Sequence, residues 1–326
     1  MSIPSGAVVP RTSDGVQFLW LELTNRCNLQ CVHCYAESSP FSGGDDRLTP
    51  DDYLDILTTS AELGCKQVQF IGGEPTLNRR LPDFISRARS LDYEFVEVFT
   101  NLTRMSPPLL NCFVEHDVNV ATSVYSNRPE VHDEITKKPG SHRETMRGID
   151  AVLAARLRLR AGVIAMPQNE DHIDETVAFL RERGVPEVGT DRVREFGRAS
   201  DETDDQCMSN LCGNCSGSTL CVAPNGKVSP CIMSKTWSVG SILEKPLAEV
   251  VRSNELRDLR SRIYARTIAP REEARLAAIE AQCEPSCGPS CYPSCVPACA
   301  PSCVPSCTPS CSPSCVPSAP GCSPSR

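Results

Sequence analysis

Phe18-Leu19-Trp20-Leu21-Glu22-Leu23 runs directly into Thr24-Asn25-Arg26-Cys27-Asn28-Leu29-Gln30-Cys31-Val32-His33-Cys34-Tyr35. The apolar run reads as a strand, and three thiols, spaced x3 then x2, follow on the loop where the chain leaves it. Three thiolates from one loop suit three irons of a 4Fe–4S cube, with the fourth iron left for another ligand, because such clusters require soft thiolate ligation. A structural zinc site would need a fourth protein ligand, for which His33 is the nearby candidate. Unligated thiols are the third reading.

Outward from that loop, apolar runs predict further strands at Gln67–Ile71, Phe95–Thr100, Val118–Tyr125, Leu159–Met166 and Val188–Val193. Helix-period segments lie between them at Pro50–Leu63, with Thr49 as cap, Pro82–Leu91, Pro107–His116, His142–Leu157 and Ile173–Arg183. This alternation implies right-handed crossovers and a parallel sheet, whose ligands sit beyond the C-terminal strand ends. The second strand ends in Gly72-Gly73-Glu74-Pro75. Paired glycines let the backbone approach a ligand, and the Glu74 carboxylate can take an ammonium.

The chain has 326 residues and a formal charge of 33 − 41 = −8, which argues against a nucleic-acid partner held by phosphate neutralisation. No apolar run approaches the ~20 residues that span a bilayer, and the N-terminus lacks the order of a signal peptide. The expected location is therefore cytoplasmic, with neither nucleic acid nor membrane as partner. Of 20 cysteines, ten lie between Cys27 and Cys231 and ten in the last 44 residues, nine of these repeating every fourth residue from Cys283 to Cys315. In a cytosolic chain such clusters read as metal or redox sites. The unit Cys-x-Pro-Ser/Ala contains almost nothing large and apolar, so 283–326 reads as a disordered tail. Cys65 and Cys112 sit in helix-like apolar segments and read as packing thiols.

CxxxCxxC followed one strand later by GGEP resembles the radical S-adenosylmethionine (SAM) superfamily. The resemblance covers about 16–200 and continues through Thr100-Asn101, Ser123-Val124-Tyr125-Ser126, Val131-His132-Asp133-Glu134-Ile135-Thr136, Pro139-Gly140-Ser141 and Phe196-Gly197-Arg198-Ala199. It implies a partial (β/α)6 barrel of α/β class, in which Cys27, Cys31 and Cys34 ligate the SAM-binding 4Fe–4S cluster. His33, Gly72, Gly73, Glu74, Thr100, Asn101 and Ser123 would line S-adenosylmethionine. It also implies reductive cleavage to a 5′-deoxyadenosyl radical that abstracts a substrate hydrogen atom, with an electron donor such as flavodoxin or ferredoxin. Many relatives read Ser-x-Asp-Gly where this chain has Ser123-Val124-Tyr125-Ser126, so the acid of that pattern is missing.

Past the acidic stretch 201–205, Cys207, Cys212, Cys215, Cys221 and Cys231 flank a hairpin read from Val222 to Val228 around Pro-Asn-Gly, with Cys215 and Cys231 at its two ends. A helix is expected over Leu247–Ile263. This resembles the start of a SPASM/twitch domain, placed at 207–282 after a flexible N-terminus (1–15) and a core (16–200). The resemblance assigns Cys215 and Cys231 to an auxiliary 4Fe–4S cluster, completed by Cys283 and Cys287. Cys207, Cys212 and Cys221 or later tail cysteines are available for a second cluster, and zinc is the alternative for Cys212 and Cys215. Two enzyme classes follow. One modifies a ribosomally made peptide; the other is a dehydrogenase or epimerase acting on an aminocyclitol, sugar or nucleoside. A non-catalytic iron–sulfur or metal-binding protein is the third reading, and it would not need the GGEP turn.

Overall fold

A computed structural model describes residues 15–200 and 208–282. Cys207, the expected flexible residues 1–14 and the repeat tail from Cys283, including Cys287, lie outside the described residues.

Strand β1 (Phe18–Glu22) is buried at all five positions, as expected of a parallel strand covered on both faces. It is followed by β2 (Gln67–Ile71), β3 (Phe95–Phe99), β4 (Asn119–Ser123), β5 (Leu159–Ala165) and β6 (Glu187–Arg192). All six run parallel in the order β6-β5-β4-β3-β2-β1. The crossovers are α1 (Pro50–Glu62), α2 (Leu81–Ser90), α3 (Pro107–Glu115), α4 (Pro129–Thr136), α5 (Ser141–Ala154) and α6 (Ile173–Glu182). Thr49 starts α1 through a reciprocal capping box with Asp52. Tyr53, Ile56 and Leu57 of α1 and Phe84 and Ile85 of α2 join the main core.

Periodicity does not anticipate α4, which has only eight residues. Its Asp133 accepts hydrogen bonds from Gly140 N (2.5 Å), Ser141 Oγ (2.9 Å) and His142 N (2.8 Å). One carboxylate therefore caps the start of α5 across the Pro139-Gly140 turn.

The expected hairpin is present: β7 (Thr219–Val222) pairs antiparallel with β8 (Lys227–Ser229), and β8 with β9 (Gly240–Ser241). β7 also lies parallel beside β1, with Phe18 opposite Thr219, so the hairpin extends the barrel sheet to nine strands. The helix expected over 247–263 is two helices, α7 (Leu247–Val251) and α8 (Asn254–Thr267). Ser253 starts the second by accepting from Leu256 N at 3.2 Å. Residues through Thr267 form one compact unit. The unit from Ile268 onward contains α9 (Ala269–Gln282), which the sequence reading did not anticipate.

Candidate active site

The three-thiol loop is tied down by its own return, by the end of α4 and by the loops after β3 and β6. Cys27 N donates to Ser39 O (3.0 Å), Gln30 N to Thr136 O (3.0 Å) and Val32 N to Ile135 O (3.0 Å). Asn28 Nδ2 donates to Thr103 Oγ1 at 2.6 Å. From beyond β6, Arg198 donates through Nε to Cys31 O and through Nη2 to Ser38 O, each at 2.9 Å, and through its backbone N to Cys34 O at 3.1 Å. A residue 164 positions beyond Cys34 thus holds the loop closed around the thiols.

The GGEP turn serves the same loop. Gly73 N donates to Thr24 O (2.8 Å) and Glu74 N to Arg26 O (2.9 Å). Gly72 has φ +128°, and a Cβ there would lie 2.6 Å from Thr24 O; one on Gly73 would collide with Arg26 O. The close approach that needs these glycines is to the backbone that carries Cys27.

Cys27, Cys31 and Cys34 open onto one cavity of about 990 Å³, counting its mouth. His33, Gly72, Gly73, Thr100, Asn101 and Ser123 line it as well. Glu74 does not. Its buried carboxylate accepts from Thr76 N (3.1 Å), Thr76 Oγ1 (2.7 Å), Thr100 Oγ1 (2.7 Å) and Asn101 N (2.8 Å). Burial pushes this carboxyl up while those four donors favour the charged form. Three of these bonds fall on Oε1 and one on Oε2, and together they tie the end of β3 to the turn.

Burial drives the Cys27 thiol far above its ordinary range and the Cys31 thiol up to about 12, with the neighbouring thiols adding to both. Donors already point at sulfur: Leu29 N lies 3.4 Å and Asn101 Nδ2 3.9 Å from Cys27 Sγ. Crowded thiols with donors at sulfur suit soft metal ligation, since a bound cluster would supply the positive charge that deprotonates them. Among the described residues, no three Cys, His, Asp or Glu side chains converge on a single ion. A cube places each thiolate on its own iron and so accepts wider spacing.

Two lining rings were not singled out in the sequence. Tyr125 stands edge-on to His33, 4.9 Å between centroids, and its hydroxyl meets Ser123 and the Cys31 sulfur. It fills the place of the absent acid. His132 accepts from Tyr125 N through Nδ1 at 3.4 Å, and burial lowers both His132 and His33 to about 4. These rings are therefore neutral at neutral pH. The Val131-His132-Asp133 stretch was the available signal, and its histidine could be placed only once α4 was known.

In the hairpin segment, Cys215 donates to Cys231, which favours the thiolate at Cys231 and raises Cys215. Cys212 stands beside Cys215 and interacts with Arg194. The described residues therefore bring Cys212 into the pair expected from Cys215 and Cys231. Cys221 lies deeper on β7, near Glu22 and Lys235. Lys235 Nζ is 2.5 Å from the fully buried Glu22 Oε2 and 5.5 Å from the Tyr35 ring centre, so one ion pair links β1 to the hairpin segment. Cys65 is buried and Cys112 partly buried.

The radical SAM superfamily signature matches residues 21–180. The chain belongs to that superfamily. Residues 212–291 match SPASM, an iron–sulfur cluster-binding domain, so this radical SAM protein carries a C-terminal SPASM domain. The first domain implies a 4Fe–4S cluster with S-adenosylmethionine, and the second implies auxiliary iron–sulfur binding. GTP 3′,8-cyclase of Limosilactobacillus fermentum is 27% identical over 175 residues, 52% of each chain. Antilisterial bacteriocin subtilosin biosynthesis protein AlbA of Bacillus subtilis is 26% identical over 271 residues, 71% of this chain and 58% of AlbA. The chain spans about half the length of the curated relatives it matches. Streptococcus suis SuiB bound to S-adenosylmethionine shares the fold at TM-score 0.61 and 14% identity, over 76% of this chain and 68% of SuiB.

Proposed function

We propose that this chain is a radical SAM enzyme that abstracts a hydrogen atom from a peptide and so matures it. The convergence of Cys27, Cys31 and Cys34 on the cavity that also receives Gly72, Gly73, Asn101 and Ser123 carries the reading. When bound there, the cluster and S-adenosylmethionine supply one-electron bond cleavage and hydrogen-atom abstraction. The chain's own part is to position and to exclude water. Arg198 and the Gly72-Gly73 turn hold the thiol loop, Asn101 and Ser123 offer polar groups at the strand ends, and Tyr125 and Ile164 form part of an apolar wall. A flavodoxin or ferredoxin would be the electron donor. The auxiliary cluster would be held by Cys212, Cys215 and Cys231, with further thiols from beyond the described residues.

A peptide substrate is supported by the likeness to AlbA, whose name records bacteriocin biosynthesis, at 26% identity over 271 residues, against 22% over 262 residues for a probable GTP 3′,8-cyclase. The small-molecule alternative rests on the cyclase matches, which span 175 to 262 residues. The test is Cys27→Ala/Cys31→Ala/Cys34→Ala after anaerobic reconstitution. About four irons should be lost, together with 5′-deoxyadenosine formation under dithionite, while iron in the hairpin segment remains. Continued formation of 5′-deoxyadenosine by that variant would refute the assignment. Short peptides encoded beside the gene should change mass on incubation with the wild-type protein; if only sugars or nucleosides react, the peptide reading fails.

A further inference from the structure

The turn that follows β3 is held in a conformation its residues do not favour. Leu102 has φ +59°, in the left-handed region that a leucine seldom adopts. Its N donates to Thr100 Oγ1 at 3.1 Å, and Thr145 Oγ1 of α5 donates to Asn101 O at 2.9 Å. Backbone held this way in the wall of a cavity marks a turn whose direction matters. The turn aims the Asn101 amide at the thiol loop. Thr103 N, which can only donate, reaches Asn101 Oδ1 at 3.0 Å, and Thr103 Oγ1 donates to the same oxygen at 2.7 Å. The amide nitrogen is thereby fixed toward the loop, where Nδ2 donates to Asn28 Oδ1 at 2.8 Å and to Cys27 Sγ at 3.9 Å. Asn28 Nδ2 closes the ring by donating to Thr103 Oγ1 at 2.6 Å. Both acceptor and both donor positions of the amide are thus used within the chain. Cys27 is the buried member of the three thiols, and Leu29 N donates to the same sulfur at 3.4 Å.

We propose that Asn101 is a positioning residue that sets the reduction potential of the cluster through Cys27. This rests on the function proposed above, in which Cys27, Cys31 and Cys34 hold a 4Fe–4S cube. A ligating thiolate that accepts N–H bonds pushes less charge onto iron, so the added electron is better tolerated and the potential rises. A hydrogen bond away from water has the greater effect, and Cys27 is where burial and donors coincide. Asn101 makes and breaks no covalent bond and passes no proton; it changes only how readily the cube takes its one electron. Although the residue lines the cavity, its amide serves the cofactor through sulfur. A residue that merely fastened the loop would alter folding and iron uptake and leave the potential of the loaded protein where it was.

The experiment uses the full chain, reconstituted anaerobically. The potential is read by electron paramagnetic resonance during a redox titration. The signal followed is the reduced-cluster signal that changes when S-adenosylmethionine is added, which separates it from that of an auxiliary cluster. Asn101→Ala should lower the reduced-to-oxidised ratio at a fixed potential by about threefold, and Asn101→Asp, which aims a negative oxygen at the sulfur, should lower it further. S-adenosylmethionine affinity, from calorimetric titration, should stay within about twofold. Thr103→Val removes one of the two anchors of the amide from outside the cavity lining and should move the ratio the same way by a smaller factor. It decides the question if neither Asn101 variant loads iron. An unmoved potential in the variants that load overturns the proposal. So does a loss of S-adenosylmethionine affinity of about tenfold at unchanged potential, which would make Asn101 a direct cofactor contact. A wild type without the S-adenosylmethionine-responsive signal refutes both readings, whereas one that shows it but forms no 5′-deoxyadenosine under dithionite refutes only the proposed function.

Discussion

Arg198 shows how much one side chain far along the sequence can contribute to a metal loop. It donates two side-chain hydrogen bonds to buried-side carbonyls of the thiol loop, at Cys31 and Ser38. Arg198→Ala should cost about 2–3 kcal/mol in the urea unfolding of the apo protein and lower the iron retained after reconstitution. Arg198→Lys should recover little, because a point ammonium cannot span both carbonyls. An unchanged urea midpoint in the alanine variant would sink the latch role. His132 supplies a second residue-scale expectation. Its pKa falls from 6.5 to about 4 on burial, so between these values the unfolded chain binds the extra proton. Stability attributable to His132 is therefore complete above pH 6.5, is lost as pH falls through that window, and levels off below about 4. Between pH 6.5 and 5 the loss should be on the order of 2 kcal/mol, and His132→Gln should shrink the pH slope of the urea midpoint. A slope identical in the two proteins would show that His132 does not titrate in this range.

At the scale of elements, strand ends and turns act together to present the thiols. Glu74 ties the Gly72–Pro75 turn to β3 through four donors. Glu74→Gln replaces one accepting oxygen by an amide that faces donors, so about 1–3 kcal/mol of stability should be lost. Glu74→Asp, whose shorter carboxylate cannot span the same donors, should not rescue it. A direct ammonium-binding role would instead leave the apo stability nearly unchanged and weaken S-adenosylmethionine binding, which calorimetric titration of the reconstituted protein separates. Most elements were legible because their signals are local: Thr49 and Asp52 for the start of α1, apolar runs for β1 to β6, Asn225-Gly226 for the hairpin. The break between α7 and α8 was not, because Ser253 reads equally well as a helix-interior residue until its cap to Leu256 N is seen.

Across the whole molecule, β7 joins β1 in one sheet, and the Glu22–Lys235 ion pair closes the seam. Glu22 is fully buried, and removing one member of a buried pair leaves an uncompensated charge. Lys235→Met should therefore destabilise by about 3–5 kcal/mol, and Lys235→Met/Glu22→Gln should regain most of the loss. Because Trp20 lies on β1 and Trp237 beside Lys235, fluorescence and circular dichroism should report one coincident unfolding transition. Two separated transitions would mean that the hairpin unfolds independently of the barrel. The thiol spacing, the GGEP turn and the order of strands and helices could be read from the sequence alone, because each is written in residues close along the chain. What those residues do was decided by tertiary structure. Glu74 faces donors instead of the cavity, Tyr125 takes the place of a missing acid, Cys212 joins Cys215 and Cys231, and Arg198 returns to Cys31. Each of these depends on burial and on partners brought near by the sheet, and sequence spacing carries no record of which buried groups will find their hydrogen-bond partners across such distances.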